Sequence, residues 1–216
     1  SDVTLKAGTT YKLSGEYIVE AGATLNIEAG VKIISVYDDI VDYILIKQGA
    51  KINAMGTANA PIVMTSEKEE PGAWGGIHIC GKAHTNAEGG KGSSEIGGAV
   101  YGGNDDADNS GKLQYVRVEY TGYAFDEEHE ANGITFYGVG SGTIVDHCQA
   151  YKGSDDGFEF FGGSVNVSNM VVVSCSDDSF DWTEGWNGKG TDLVAYQEPK
   201  ATLGYDCDCL HRSRQQ

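Results

Sequence analysis

Proline is scarce, with 3 residues in 216, and arginine is too: Arg117 is the single one before residue 200. The 31 glycines do not follow a collagen period, so the chain is turn-rich without reading as a fibre or a linker. Lys and Arg total 15 against 32 Asp and Glu, a formal charge of -17. That balance excludes nucleic-acid binding through phosphates, which needs clustered basic side chains. Metal cations, cationic partners and neutral glycans fit it better. No apolar run approaches the roughly 20 residues that span a bilayer, so no transmembrane segment is expected. No window shows a helical period, although residues 37 to 43 read as a short excursion.

Disulfide scaffolding is also absent. Cys80, Cys148, Cys175, Cys207 and Cys209 form an odd set without regular spacing. The first three fall in strand-like segments, where a free Cys packs as a small hydrophobe. Cys207-x-Cys209 alone is a weak metal pair, since zinc sites ordinarily combine two pairs.

What is present is repetition. Gly153-Ser154-Asp155-Asp156-Gly157-Phe158-Glu159-Phe160-Phe161 returns 22 residues later as Cys175-Ser176-Asp177-Asp178-Ser179-Phe180-Asp181-Trp182-Thr183. Earlier copies are Asn132-Gly133-Ile134-Thr135-Phe136-Tyr137 and Gly75-Gly76-Ile77-His78-Ile79-Cys80. Such a period marks a solenoid, because one unit cannot bury its apolar face alone. Each copy alternates with period two and reads as a strand. Upstream, Val19 maps on Ile46, Gly22 on Gly49 and Leu25 on Ile52, and residues 61 to 65 add a further strand per turn. The expectation is all-β, a coil with three short strands per turn. Arg117 and Glu119 share one face of the strand at 113 to 120 and pair there. The regular coil is expected to end near residues 193 to 197.

Residues 84 to 111 are too long for a connection and read as an insertion projecting from the coil. Within them Asp106, Asp108 and Ser110, followed by Gly111, imitate the first half of a calcium loop. Arg117 stands where the closing Glu belongs, so an EF-hand is excluded. A calcium site completed by other residues and a solvated turn both remain open.

Five segments together, at residues 22–30, 72–77, 109–120, 155–163 and 177–186, resemble a group of bacterial surface or secreted proteins. These are right-handed parallel β-helices of the pectate-lyase-like superfamily, found largely in Gram-negative bacteria as lipoproteins or exported proteins. The resemblance covers about residues 5 to 210; one β-helix domain is expected over 1–216, with the insertion at about 84–111 and, from the composition shift after residue 204, a truncated C-terminal end. It also implies a secreted, outer-membrane or cell-surface location, with room for a lipid anchor upstream. The chain begins Ser-Asp-Val-Thr, without signal peptide or initiator Met, as a processed or trimmed chain would. Most of the group has no assigned activity, and some members are labelled adhesins.

Stacking the copies yields columns. Ile44, Ile77, Ile134, Phe158 and Phe180 point inward, as do Ile46, Ile79, Phe136, Phe160 and Trp182. Between them Leu45, His78, Thr135, Glu159 and Asp181 are expected to face water. Gly75, Asn132, Asp156 and Asp178 form a turn column, where side chains satisfy backbone groups. Glu159 and Asp181 on adjacent rungs, with Asp155 and Asp177 beside them, repel unless a cation or protons intervene. The expectation is a calcium- or carbohydrate-binding face including His78, Glu184 and Trp186, with an ordinary solvated face as the plain alternative.

Three functions follow. The first is a non-catalytic surface module binding polysaccharide or host material, as the long faces of solenoids suit. The second is a polysaccharide lyase or glycoside hydrolase acting on acidic polysaccharide, which the Asp pairs suggest. Against it, the Gly-His-Gly and Arg-x-Lys elements of such enzymes are missing, and Arg117 sits on another strand. The third is an architectural spacer.

Overall fold

The computed structural model describes residues 1–126 and 129–199, and the backbone of 211–212. The coil has three parallel faces. The first stacks Val3–Leu5, Thr24–Ile27, Lys51–Met55, Gly111–Gln114, Ile144–Asp146 and the start of Asn166–Val173. The second stacks Thr10–Leu13, Lys32–Ser35, Ile62–Ser66, Val116–Glu119, Gln149–Tyr151 and the end of that same long strand. The third stacks Glu16–Val19, Tyr43–Ile46, Ile77–Cys80, Ile134–Tyr137, Phe158–Phe161 and Phe180–Thr183. His211–Arg212 then pairs with Asp181 and Trp182, so the stack goes on past the end expected near 193–197.

From Gly111–Gln114 onward a single left-handed residue makes the bend between the first two faces. Tyr115, His147, Asn169 and Asp192 hold φ of 49°, 51°, 54° and 55° in successive turns. One such residue turns the chain sharply, and at Asn169 the strand Asn166–Val173 continues through the bend into both faces.

The register follows the repeat. Ile44, Ile77, Ile134, Phe158 and Phe180 pair in succession, as do Leu45, His78, Thr135, Glu159 and Asp181. Inside, like residues stack on like: Phe136 on Phe160 at 5.1 Å and Phe158 on Phe180 at 5.7 Å. Burying each such ring contributes about 1.5–3 kcal/mol. Cys80, Cys148 and Cys175 are buried and unbridged, as small hydrophobes. Arg117 pairs with Glu119 as expected.

The outward column does not face water. Leu45, His78 and Thr135 are completely buried, Asp181 is 8% exposed, and Glu159 is partly buried. The cause is the insertion, which lies against the coil rather than projecting from it. It carries a short antiparallel pair, Gly92–Ser93 with Val100–Tyr101. Its Ile96, Ala99 and Tyr101 close a second apolar cluster over Tyr43, Leu45, Cys80, Ala131 and Tyr137. Gln48 pins it by donating to the carbonyls of Gly81 and Gly102, at 2.8 and 2.9 Å. Among the described residues no helix is long and apolar enough to cross a membrane.

Candidate acidic site

Each turn entering the third face brings its polar residues to one corner of the coil. Gly133 N–H donates to Asp156 O at 3.0 Å and Gly157 N–H to Asp178 O at 2.9 Å, so these turns stack rung on rung. The Asp178 N–H donates to Asp156 Oδ1 at 2.9 Å. Asp156 therefore satisfies the backbone as a turn column should. It also stands at the centre of a carboxylate cluster.

Two groups of oxygens share it. Asp155, Asp156 and Asp177 form one, and Asp156, Glu159 and Asp181 the other; within each, the oxygens lie within 4.8 Å of one another. Like charges so close, in partly dry surroundings, hold on to protons. Burial first, and then the charge of Glu130 and Asp177, pushes Asp155 up to about 7. Burial and neighbouring Asp155 push Asp156 up to about 9. Burial, then Glu95 and Asp156, raises Glu159 well above the carboxylate range. Meanwhile Lys6, Lys12, Lys47, Lys68, Lys152 and Arg117 pair with other acids along the coil.

Two further members complete the corner, Glu95 without a signal in the repeat and Asn132 from the turn column. Glu95, from the insertion, is raised to about 7 by burial, with His129 pulling it back and Glu184 and Asp181 pushing it up. It belongs to a segment with no counterpart in other turns. Asn132 donates from Nδ2 to Glu159 Oε2 at 2.5 Å and to Thr135 Oγ1 at 3.2 Å. Its Oδ1 is buried without a hydrogen-bond partner. An amide oxygen beside carboxylates is the donor set of a hard divalent cation such as calcium.

The remaining residues expected at a site lie elsewhere. His78 shares the column but is sealed. Its Nε2 is 2.7 Å from Gly75 O and its Nδ1 3.4 Å from Tyr137 Oη, and burial lowers it to about 4, so it is a neutral core residue. Glu184 accepts from Thr85 and Tyr101, holding the insertion down. Trp186 stacks on Phe160 at 4.6 Å and donates to Val165 O at 3.1 Å, so its ring belongs to the core. Asp106, Asp108 and Ser110 bond among their own neighbours. Asp106 Oδ1 accepts from His84 N–H at 3.0 Å, and Ser110 Oγ donates to Asp108 Oδ2 at 3.2 Å. Cys207 and Cys209 lie outside the described residues.

No curated protein matches the chain. A family model described as "Pectate-lyase like beta helix domain" matches residues 1–216. The chain belongs to that pectate-lyase-like β-helix family.

Proposed function

We propose that this is a non-catalytic, exported β-helix module that binds glycan at the acidic corner, with calcium held among its carboxylates. The observation that carries the reading is that Asp155 and Asp177, and likewise Glu159 and Asp181, gather their oxygens about Asp156. Asn132 supports it, because its orphaned Oδ1 has a use only if something electropositive stands near it. When bound, calcium neutralises the acids and offers coordination to sugar hydroxyls. The protein's own part is positioning: stacked turns fix Asp155, Asp156 and Asp177, and the third face fixes Glu159 and Asp181. Location at the surface of a Gram-negative bacterium, and an adhesin role, rest on the sequence resemblance.

The test is a calcium titration followed by melting temperature, alongside a glycan array with and without chelator. A melting temperature indifferent to millimolar-range calcium, or array binding unaffected by chelator, would refute the calcium part.

One observation favours a second reading as a glycosidase. Asp155 and Glu95 are raised to about 7 beside other acids, and a raised carboxyl paired with an ionised one is what glycoside hydrolysis uses. Release of reducing sugar from acidic polysaccharide, abolished by Asp155→Asn, would establish it over the binder.

A further inference from the structure

A cavity of about 250 Å³ opens on the same corner, on the N-terminal side of the acidic cluster. Tyr37, Asp38, Lys68, Pro71, Gly72 and Tyr123 are among the residues lining it. Stacked turns tie it to the acidic site. Thr121 O accepts from Gly72 N–H at 2.8 Å and from Ser154 N–H at 3.0 Å, and Ser154 precedes Asp155. Gly72 and Ser154 meet at that one carbonyl, so the cavity borders the turn that carries Asp155.

The lining is built to be used. Tyr37 is 63% exposed, and the Lys68 ammonium sits 4.9 Å from its centroid. Tyr123 is braced: Phe125 meets it edge-on at 5.1 Å and in turn meets Tyr43 at 6.2 Å. Asp38 is held by Ile40 N–H at 2.8 Å and Ser14 Oγ at 3.4 Å, which leaves its carboxylate room to accept more. Lys68 shares its charge with Glu70 at 3.2 Å and keeps further N–H donors. Gly72, at φ +84°, adds no side chain to the lining; a Cβ there would come within 3.0 Å of Ser154 Oγ.

Those features select a ligand class. Aromatic rings ask for an apolar face of similar size, while a fixed carboxylate and a nearby ammonium ask for hydroxyls. Of the residues lining it only Asp38 and Lys68 carry charge, and these two cancel, with Glu70 adding one negative charge beside Lys68, in a molecule at -17. A pyranose without a charged substituent combines a C–H face with a ring of hydroxyls. We propose that this cavity is a subsite for one neutral hexose ring of the glycan whose continuation reaches the acidic corner. The proposal rests on the glycan-binding reading and adds to it the chemistry of the sugar and the residues that take it.

The experiment is calorimetric titration of the full chain, in calcium buffer, with cellotetraose, maltotetraose, mannotetraose and tetragalacturonate. The variants are Tyr37→Ala and Tyr37→Phe, each first checked for unchanged melting and circular dichroism. One neutral tetrasaccharide is expected to bind. Tyr37→Ala should weaken it at least about fivefold, the scale of a lost aromatic contact, and Tyr37→Phe should keep it. Equal affinity in wild type and Tyr37→Ala would overturn the subsite while leaving glycan binding intact. Calcium-dependent binding of tetragalacturonate without any neutral sugar would do the same. Silence toward all four sugars would overturn both the subsite and the glycan reading.

Discussion

Asn132 gives its amide N–H to Glu159 Oε2 at 2.5 Å, while its own Oδ1, in a residue 1% exposed, is left without a partner. The amide thus answers one carboxylate and adds an unsatisfied acceptor to a corner already crowded with them. Replacing it by Asp removes the donor and adds a charge. Asn132→Asp should lower stability near neutral pH by about 1–3 kcal/mol without calcium, the cost of losing a buried hydrogen bond and leaving its acceptor unpaired. Calcium should recover most of the loss, because the new oxygen is a better ligand. Urea unfolding with chelator and with calcium measures both. A loss of equal size in the two buffers would separate Asn132 from any cation.

Stability should fall as pH rises through neutrality. Asp155 and Glu95 are pushed up to about 7 and Asp156 to about 9, burial being the first cause in each. A carboxyl raised in the folded state binds its proton more tightly there than in the unfolded chain. Its contribution is complete below the ordinary carboxylate range and is lost as pH climbs through about 7 to 9. The chelated protein should melt several degrees higher at about pH 5 than at about pH 8.5, at roughly 2–4 °C per kcal/mol for a chain of this size. Asp156→Asn should flatten the profile. A melting temperature that climbed over that range would mean the cluster does not govern it.

His84 titrates with a different consequence. Its Nδ1 lies 2.8 Å from Asp106 Oδ1 and its Nε2 2.9 Å from Gly185 O, two acceptors that only the imidazolium can satisfy together. Burial lowers its pKa, but the bonds to Gly185 and Asp106 outweigh that and raise it overall. The stabilisation is therefore full below the ordinary histidine range and disappears as pH passes the raised value. His84 ties the first residues of the insertion to their last turn and to the loop after the third face. Hydrogen exchange at Gly102 and Asp105, whose N–H groups bond to Gly81 and Lys82, should quicken with pH beyond its intrinsic rise. His84→Gln should show the fast exchange already at low pH. Indifference of those amides to the substitution would remove His84 as an anchor.

The coil was legible in the sequence, and its roof was not. Ile77, Ile134, Phe158 and Phe180 announce their stacking because period-two alternation and a constant offset coincide on them. The acids at Glu159 and Asp181 fall into register for the same reason. Their surroundings depend on Glu95, Ile96 and Tyr101, which sit in a glycine-rich stretch without period and reach the coil only in three dimensions. One hint was available: Leu45, an apolar residue in a column assigned to water, signals a covered face. Asp156 shows a further limit. Sequence assigned it to the turn, and one of its oxygens serves there. That it also joins two groups of acids follows from the closeness of neighbouring rungs, which no linear pattern states.

Glu184 tests how the insertion is held. Register places it after Thr183, opposite the residues that follow Tyr137 and Phe161, which are Gly138 and Gly162. All three are left-handed, with φ of 50°, 56° and 61°, but only Glu184 carries a Cβ. Such a residue costs about 1–2 kcal/mol over glycine, so its side chain must offset the strain. The carboxylate does so by accepting from Thr85 Oγ1 and from Tyr101 Oη, the latter at 2.9 Å. Glu184→Ala keeps the strain and loses both bonds, whereas Glu184→Gly loses the bonds and relieves the strain. Glu184→Gln keeps an acceptor for either hydroxyl. Denaturant midpoints should therefore fall in the order wild type, Gln, Gly, Ala, with Gly ahead of Ala by about 1 kcal/mol. Tyr101→Phe should cost wild type about 0.5–1.5 kcal/mol and the Ala variant almost nothing, since their bond is shared. Were Gly no better than Ala, the strain at residue 184 would be illusory; additive losses for Tyr101→Phe and Glu184→Ala would mean that the carboxylate does not hold the insertion.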